Sequence, residues 1–355
     1  MQKLFFLVFF ICSFTSFSSL FAQEDIYSRG CVSCHGEDGK GRPINEVGFD
    51  IPLPDFSDCE FTSREPDADW LAIVHEGGPI RSFDRTMPSF GLALSENQIL
   101  NAIQTIRTFC ADQSWPRGEF NLPKGFFVEK AFPEDELVVT QTFKENSSFL
   151  ETEIIYENRI GSRGMWEVKI PLVSDSFEGS RDYGIGDIAL AYKHTLVDNL
   201  DRGLIISSGV ELITTTGNSS LGFGGESYVL EPFLAAGLIL PDDYFLQLHS
   251  LLESPLDDQL NRELGLRLGF GRTFMQQGYG RSVSPMIEML AKREIASGES
   301  FSYDLVPQVQ ISLSTRQHVL FNAGLRIPVS GEQKDLEFLS YILWDWFDGP
   351  FSDGW

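Results

Sequence analysis

The sequence predicts two domains, an all-α first domain followed by an all-β antiparallel transmembrane barrel of about twelve strands. Three observations predict this. A C-x-x-C-H stands at Cys31–His35, the segment after it has helix-like apolar spacing, and from about residue 136 the apolar period becomes two. The expected boundaries are a leader at 1–22, a helical domain at 23–115, a linker at 116–135 and the barrel at 136–355.

Residues 1–22 read as a secretory signal peptide. Lys3 gives a weak positive start, Leu4 to Phe21 is mostly apolar, and Ala22 suits the last residue before cleavage. Ser13, Thr15, Ser16, Ser18 and Ser19 make the run too polar for a good membrane anchor. The 355-residue chain carries a net charge of −24, which argues against nucleic acid, whose phosphates need basic partners.

There are five cysteines. Cys12 lies in the leader and Cys31 and Cys34 in the motif, which leaves Cys59 and Cys110 as an even pair in an oxidising compartment. A disulfide is expected, worth about 3–5 kcal/mol in the chain-entropy picture. The alternative is two free buried thiols.

In C-x-x-C-H, two thiols three residues apart can each add to a vinyl group of one porphyrin, and the following His can take an axial position on its iron. A zinc site would need a second Cys or Cys/His pair, and a redox C-x-x-C would need a βαβ pattern; neither follows. One covalently bound haem c, held by Cys31, Cys34 and His35, is therefore expected. Met87 is the only Met between the leader and residue 165, and a thioether suits the sixth position. His75 or water is the alternative ligand. Ser95 and Gln98 form a capping box ahead of a helix that places Ile99, Ala102, Ile103 and Ile106 on one face.

Residues 27–110 resemble a class I cytochrome c. The resemblance lies in C-V-S-C-H-G-E-D-G-K-G at 31–41, T-M-P-S-F-G at 86–91 and the helix at 95–109. It implies an all-α cytochrome c fold of three to four helices around one haem, with His35 and Met87 as the two iron ligands. The Cys59/Cys110 pair is outside that family's general pattern.

The linker at 116–135 is broken by Pro116, Gly118 and Pro123. Its aromatics, Phe120, Phe126, Phe127 and Phe132, are too many for a free tether. Much of it should dock on one of the two domains; a flexible spacer is the alternative.

Beyond it, runs near ten residues long alternate. Leu150, Thr152, Ile154 and Tyr156 interleave with Glu151, Glu153 and Glu157; Leu204, Ile206 and Val210 with Ser207, Gly209 and Glu211. Such runs give a barrel an apolar exterior and a polar lumen. Glu151, Glu153, Glu157, Lys169, Arg267 and Arg326 should face that lumen. A soluble β-sandwich is the rival. Aromatics near strand ends (Tyr341, Trp344, Trp346, Phe347) read as an interfacial girdle, and the chain ends in Trp355. Residues 183–193, S-G-V-E-L-I-T-T-T-G at 208–217 and V-L-E-P-F-L-A-A-G at 229–237 resemble the outer-membrane family described as a putative MetA-pathway of phenol degradation component.

The expected function is electron transfer. A monohaem c-type cytochrome, tethered to a barrel in the bacterial outer membrane, would exchange electrons with a periplasmic redox carrier. The alternative is an outer-membrane pore or transporter for a small molecule, with the cytochrome as redox partner or gate. The haem domain is expected on the periplasmic side, because one haem cannot span a bilayer of about 30 Å. No nucleophile–base pairing or phosphate loop is visible, so the chain reads as a carrier rather than an enzyme.

Overall fold

The computed structural model describes residues 26–48, 52–145, 148–177, 180–331 and 335–346. The leader with Cys12, and the aromatics Phe347 and Trp355, lie outside the described residues.

The dominant element is one antiparallel sheet of fourteen strands. Two of them, Ser180–Ile185 and Phe274–Met275, are short additions to the rim. The other twelve form the wall: β1 Glu136–Lys144, β2 Leu150–Ile160, β3 Gly164–Phe177, β4 Ala189–Asn199, β5 Leu204–Ile213, β6 Val229–Ile239, β7 Tyr244–Pro255, β8 Glu263–Arg272, β9 Ser282–Glu294, β10 Ser302–Ser312, β11 Val319–Ser330 and β12 Glu337–Asp345. Each pairs with its sequence neighbour, and β12 returns to β1, with Asp345 opposite Glu136 and Lys144 opposite Glu337. Closure removes the free edges that an open sheet would expose.

The period of two sets the two faces. Leu234, Leu248, Phe270, Phe338 and Ile342 are about half exposed on the outside. Their strand neighbours Ala235, Gln247, His249, Leu339 and Tyr341 are buried inside. Large apolar side chains standing in the open on every part of the wall are the surface that a lipid-embedded barrel presents. A sandwich would bury them between sheets. Tyr341 therefore belongs to the lumen and not to an interfacial girdle: it sits on the same inward series as Glu337 and Leu343, and its hydroxyl donates to the Lys124 carbonyl at 2.6 Å.

The expectation of two domains, one of them a separate all-α cytochrome c fold, is not met. The chain is a twelve-stranded barrel with a few short helices at one mouth. These are α1 Ile26–Gly30, α2 Val32–His35, α3 Ile44–Val47, α4 Cys59–Arg64, α5 Asp67–Glu76 and α6 Glu96–Arg107. They form a cap bound to the barrel. Arg81 Nη1 donates to the Tyr279 carbonyl at 2.6 Å, and Tyr279 Oη donates to Glu96 at 2.5 Å. Gln317 Nε2 donates to Asp69, and His318 meets Glu65 at 3.2 Å. Sequence spacing located α6 but carried no sign of this docking, because its partners lie some 180 to 250 residues away in the barrel connections 273–281 and 313–318.

Within the cap, Ser95 N donates to Gln98 Oε1 at 2.9 Å and starts α6. Its face of Ile99, Ile103 and Ile106 packs on Tyr27, Phe56 and Trp70. Cys59 and Cys110 are joined by a disulfide that ties the start of α4 to the segment after α6. Gly39 has φ +73°, and a Cβ there would meet the Phe109 ring at 2.4 Å, so only glycine serves this turn.

Arg64 in α4 makes a 2.7 Å ion pair with Asp135 at the foot of β1, with both side chains buried. Arg64→Ala leaves Asp135 buried and undercompensated, a cost of about 3–5 kcal/mol. The expected result is faster proteolysis of the cap in folded, detergent-solubilised protein, with the barrel's heat-modifiable gel migration unchanged.

Candidate functional site

Residues 116–135 do not bridge two domains. They run through the lumen as a strap whose contacts reach strands all round the wall. Phe120, Ala131 and Phe132 pack with Ile205 of β5 and Ala235 of β6. Leu122 packs with Phe245 of β7 and Met286 of β9. Phe126 meets Tyr341 of β12 edge-on at 5.2 Å. The expectation that its aromatics dock is met by burial inside the barrel, where apolar rings replace water.

Polar bonds hold the strap along its length. Glu288 of β9 is the main anchor: its carboxylate accepts from Phe126 N at 2.9 Å, Phe127 N at 3.0 Å and Val128 N at 2.6 Å. Gln308 Nε2 fixes the same carboxylate at 2.7 Å. From β8, Arg267 donates to the Phe127 carbonyl at 2.8 Å; from β7, Gln247 donates to the Pro123 carbonyl at 2.8 Å. Lys193 of β4 bonds Glu129 at 2.6 Å and the Lys130 carbonyl at 2.7 Å. The strap's own cations answer the wall's acids. Lys124 Nζ lies 2.9 Å from Glu157 and 3.1 Å from Glu136; Lys130 pairs with Glu134 and, at 3.2 Å, with Glu136. Glu134, Glu136 and Glu157 bring carboxylates close enough to suggest a metal site, but the two lysine ammonium groups already pair with all three.

Where strap and cap meet, a cavity of about 250 Å³ is lined by Arg64, Asp69, Lys124, Lys130, His318 and Asp345. Pro66, Leu122, Met275, Leu320 and Leu343 also line it, so charged and apolar side chains share the wall. Burial, and then the neighbouring Glu65, raise the Asp69 carboxyl above its ordinary range.

Cys31 and Cys34 stand one turn apart, with Cys34 N and His35 N both donating to the Cys31 carbonyl. Both thiols lie outside the disulfide and are half-buried. The His35 ring lies 4.9 Å from Phe56, its Nδ1 is buried without a hydrogen-bond partner, and burial lowers its pKa to about 4. A neutral imidazole with an orphaned buried nitrogen, beside two thiols on one helical turn, fits the donor set for covalent haem. Met87 is half-buried in the loop after Gly78, whose N–H donates to the Met87 carbonyl at 3.0 Å. Phe90 of the same loop approaches Gly30, so this loop faces the start of the Cys31 turn. His75 points elsewhere: it stacks on Tyr279 at 4.6 Å and bonds Glu76 at 2.8 Å.

Of the residues expected in the lumen, Glu157, Lys169, Arg267 and Arg326 all make polar contacts there. Glu288, Lys124 and Lys130 were not singled out from sequence. Glu288 had a signal, as an acid on the inward series of β9 between Met286 and Leu290. The two lysines stand in a segment whose other charges are mostly acids, and nothing local marks their partners.

No family model matches the chain, and no curated protein matches it. Among solved structures, an outer membrane channel from Pseudomonas putida F1 is similar at 13% identity, covering 63% of this chain and 100% of that one, with a TM-score of 0.48. The NanC porin is similar at 6% identity, 59% and 100% coverage and a TM-score of 0.42. The KdgM porin is similar at 9%, 59% and 99%, with a TM-score of 0.39. These similarities lie below the level at which a shared function follows.

Replacing Glu288 by Ala strands three buried amides, at about 1–3 kcal/mol for each group left unsatisfied. Deuterium exchange at Phe126–Val128 should then quicken markedly in Glu288→Ala and less in Glu288→Gln, which keeps one acceptor. Unchanged protection in both variants would mean that the strap is held elsewhere.

Proposed function

We propose that the protein is an outer-membrane channel for a small molecule, closed by its own lumenal strap, with the cap as the gate. The observation that carries this is the strap itself. A polar lumen has been filled by a segment held through side-chain and backbone hydrogen bonds, and such bonds can be exchanged for water and solute. A continuous apolar core could not open in this way. The apolar exterior supports placement in lipid. The end that carries Glu136 and Asp345 also has short turns, such as 161–163 and Pro241–Asp243, whereas 214–228 at the other end is long. Short turns and both barrel ends on one side follow the periplasmic pattern and support a cap on the periplasmic side.

Haem belongs to this proposal as a group on the cap, linked through Cys31 and Cys34, with His35 and Met87 as iron ligands. It would supply one-electron chemistry at the barrel mouth. The chain's part is to keep His35 neutral and desolvated, and to join the haem-bearing turn to the mouth through contacts such as Arg64–Asp135. Haem oxidation state could then bias how tightly the cap sits. Electron transfer as the selected role is the second reading, favoured by the orphaned His35 nitrogen; a periplasmic redox carrier as partner has no support beyond the motif.

In proteoliposomes the wild type should pass small sugars or amino acids slowly, and Glu288→Ala at least several-fold faster. Equal and negligible flux in both would remove the channel reading. For the haem, wild type should carry a covalent chromophore that survives denaturation, lost in Cys31→Ser with Cys34→Ser. Met87→Ala should keep the chromophore and lower its reduction potential, since a Met ligand raises it. A potential unchanged in that variant would assign the sixth position to another group.

A further inference from the structure

The register of the barrel lines up acids. Asp345 stands opposite Glu136, Glu136 opposite Glu157, and Glu157 opposite Glu167. The row crosses β4 at Ala191 and resumes with Glu211 opposite Glu231. Val229 opposite Pro255 and Phe233 opposite Leu251 set Glu231 level with Glu253, and Glu253 stands opposite Glu263. Eight carboxylates thus follow one ladder row across eight of the twelve strands. Because barrel strands tilt and stagger, the row climbs as it turns. It begins at the capped mouth, where β12 ends and β1 begins, and reaches the opposite mouth, where β7 ends and β8 begins.

Like charges directly opposite each other on a sheet are destabilising, so such a row needs cations. At the capped end the protein supplies them: Lys124 for Glu136 and Glu157, and Lys169 for Glu167 and Glu211 at 3.0 and 2.6 Å. Further along, Lys292 pairs with Glu263 at 3.4 Å, and the gap lies before it, at Glu231 and Glu253. Among the described residues Glu231 and Glu253 make no hydrogen bond or ion pair, although Glu231 is only 7% exposed. Arg267, the nearby cation, donates to the Phe127 carbonyl and, among the described residues, makes no ion pair with either carboxylate.

We propose that this row is a cation path, and that its unpaired stretch at Glu231 and Glu253 binds a hard inorganic cation such as calcium. An all-carboxylate oxygen set on a wide lumen favours hard cations that keep part of their water. Acid-lined pores select cations in the same way. The strap's Lys124 and Lys130 then act as tethered cations that occupy the capped half of the path when the channel is closed. The proposal rests on the channel reading and gives it a solute class.

The test is equilibrium dialysis of radioactive calcium against full-length protein in detergent. Wild type is compared with Glu231→Gln/Glu253→Gln and with Glu46→Gln, an exposed cap residue paired only to Arg42. Saturable binding by wild type and by Glu46→Gln, weakened at least tenfold in the double variant, is the expected result. Calcium should also raise the unfolding temperature of wild type and not of the double variant. Both carboxylates lack partners, so their loss breaks no ion pair; heat-modifiable migration and the single variant Glu253→Gln guard against misfolding. Absence of saturable binding in wild type, or equal binding in the double variant, overturns the site. Binding in detergent needs no transport. Calcium bound without liposome flux keeps the site and sinks the channel, whereas flux without calcium binding does the reverse.

Discussion

A segment of open backbone can cross the inside of a barrel only if its amides and charges find partners there, because a buried unpaired polar group costs about 1–3 kcal/mol and a buried unpaired charge more. Glu288 answers that demand at the centre of the wall, taking three consecutive amides of the strap on one carboxylate. Lys124 and Lys193 answer it nearer the mouth, each joining strap to wall. The rest of the architecture follows. With 116–135 held inside, the chain before it must emerge at the end where β1 begins, and the cap is fixed over that mouth by Arg64–Asp135 and the contacts of Tyr279 and His318.

The same bonds give the closed state a particular character. The strap is held by hydrogen bonds and ion pairs to several strands of the wall rather than by apolar packing alone. The rings of Phe120, Phe126 and Phe132 add apolar burial and keep the segment from drifting. The lumen can therefore be well packed and still not be a permanent core.

Charge is distributed with the same logic. Acids line the lumen as well as the surface, and near the cap the strap's Lys124 and Lys130 and the wall's Lys169 and Lys193 pair with them. Towards the other mouth Arg326 pairs with Asp304 and Glu337, and Lys292 with Glu263, which leaves Glu231 and Glu253 without an ion pair among the described residues.

Period-two alternation was enough to place the barrel, because outward and inward residues face solvents of opposite polarity and a one-residue slip would exchange them. The change of period expected near 136 and the runs from Leu150 and Leu204 agree with the starts of β1, β2 and β5. The capping box of α6 and its buried face were legible for the same reason, since each is a local pattern, while the Cys59–Cys110 disulfide followed from counting the cysteines left over. What tertiary structure alone decided was non-local. It placed the linker in the lumen, turned Tyr341 inward, bound the helices to the barrel instead of leaving a separate cytochrome domain, and aligned Glu211, Glu231, Glu253 and Glu263 in one row. A sequence specifies which face a side chain takes, but register and closure bring together residues more than a hundred positions apart, and only the folded barrel sets those pairings.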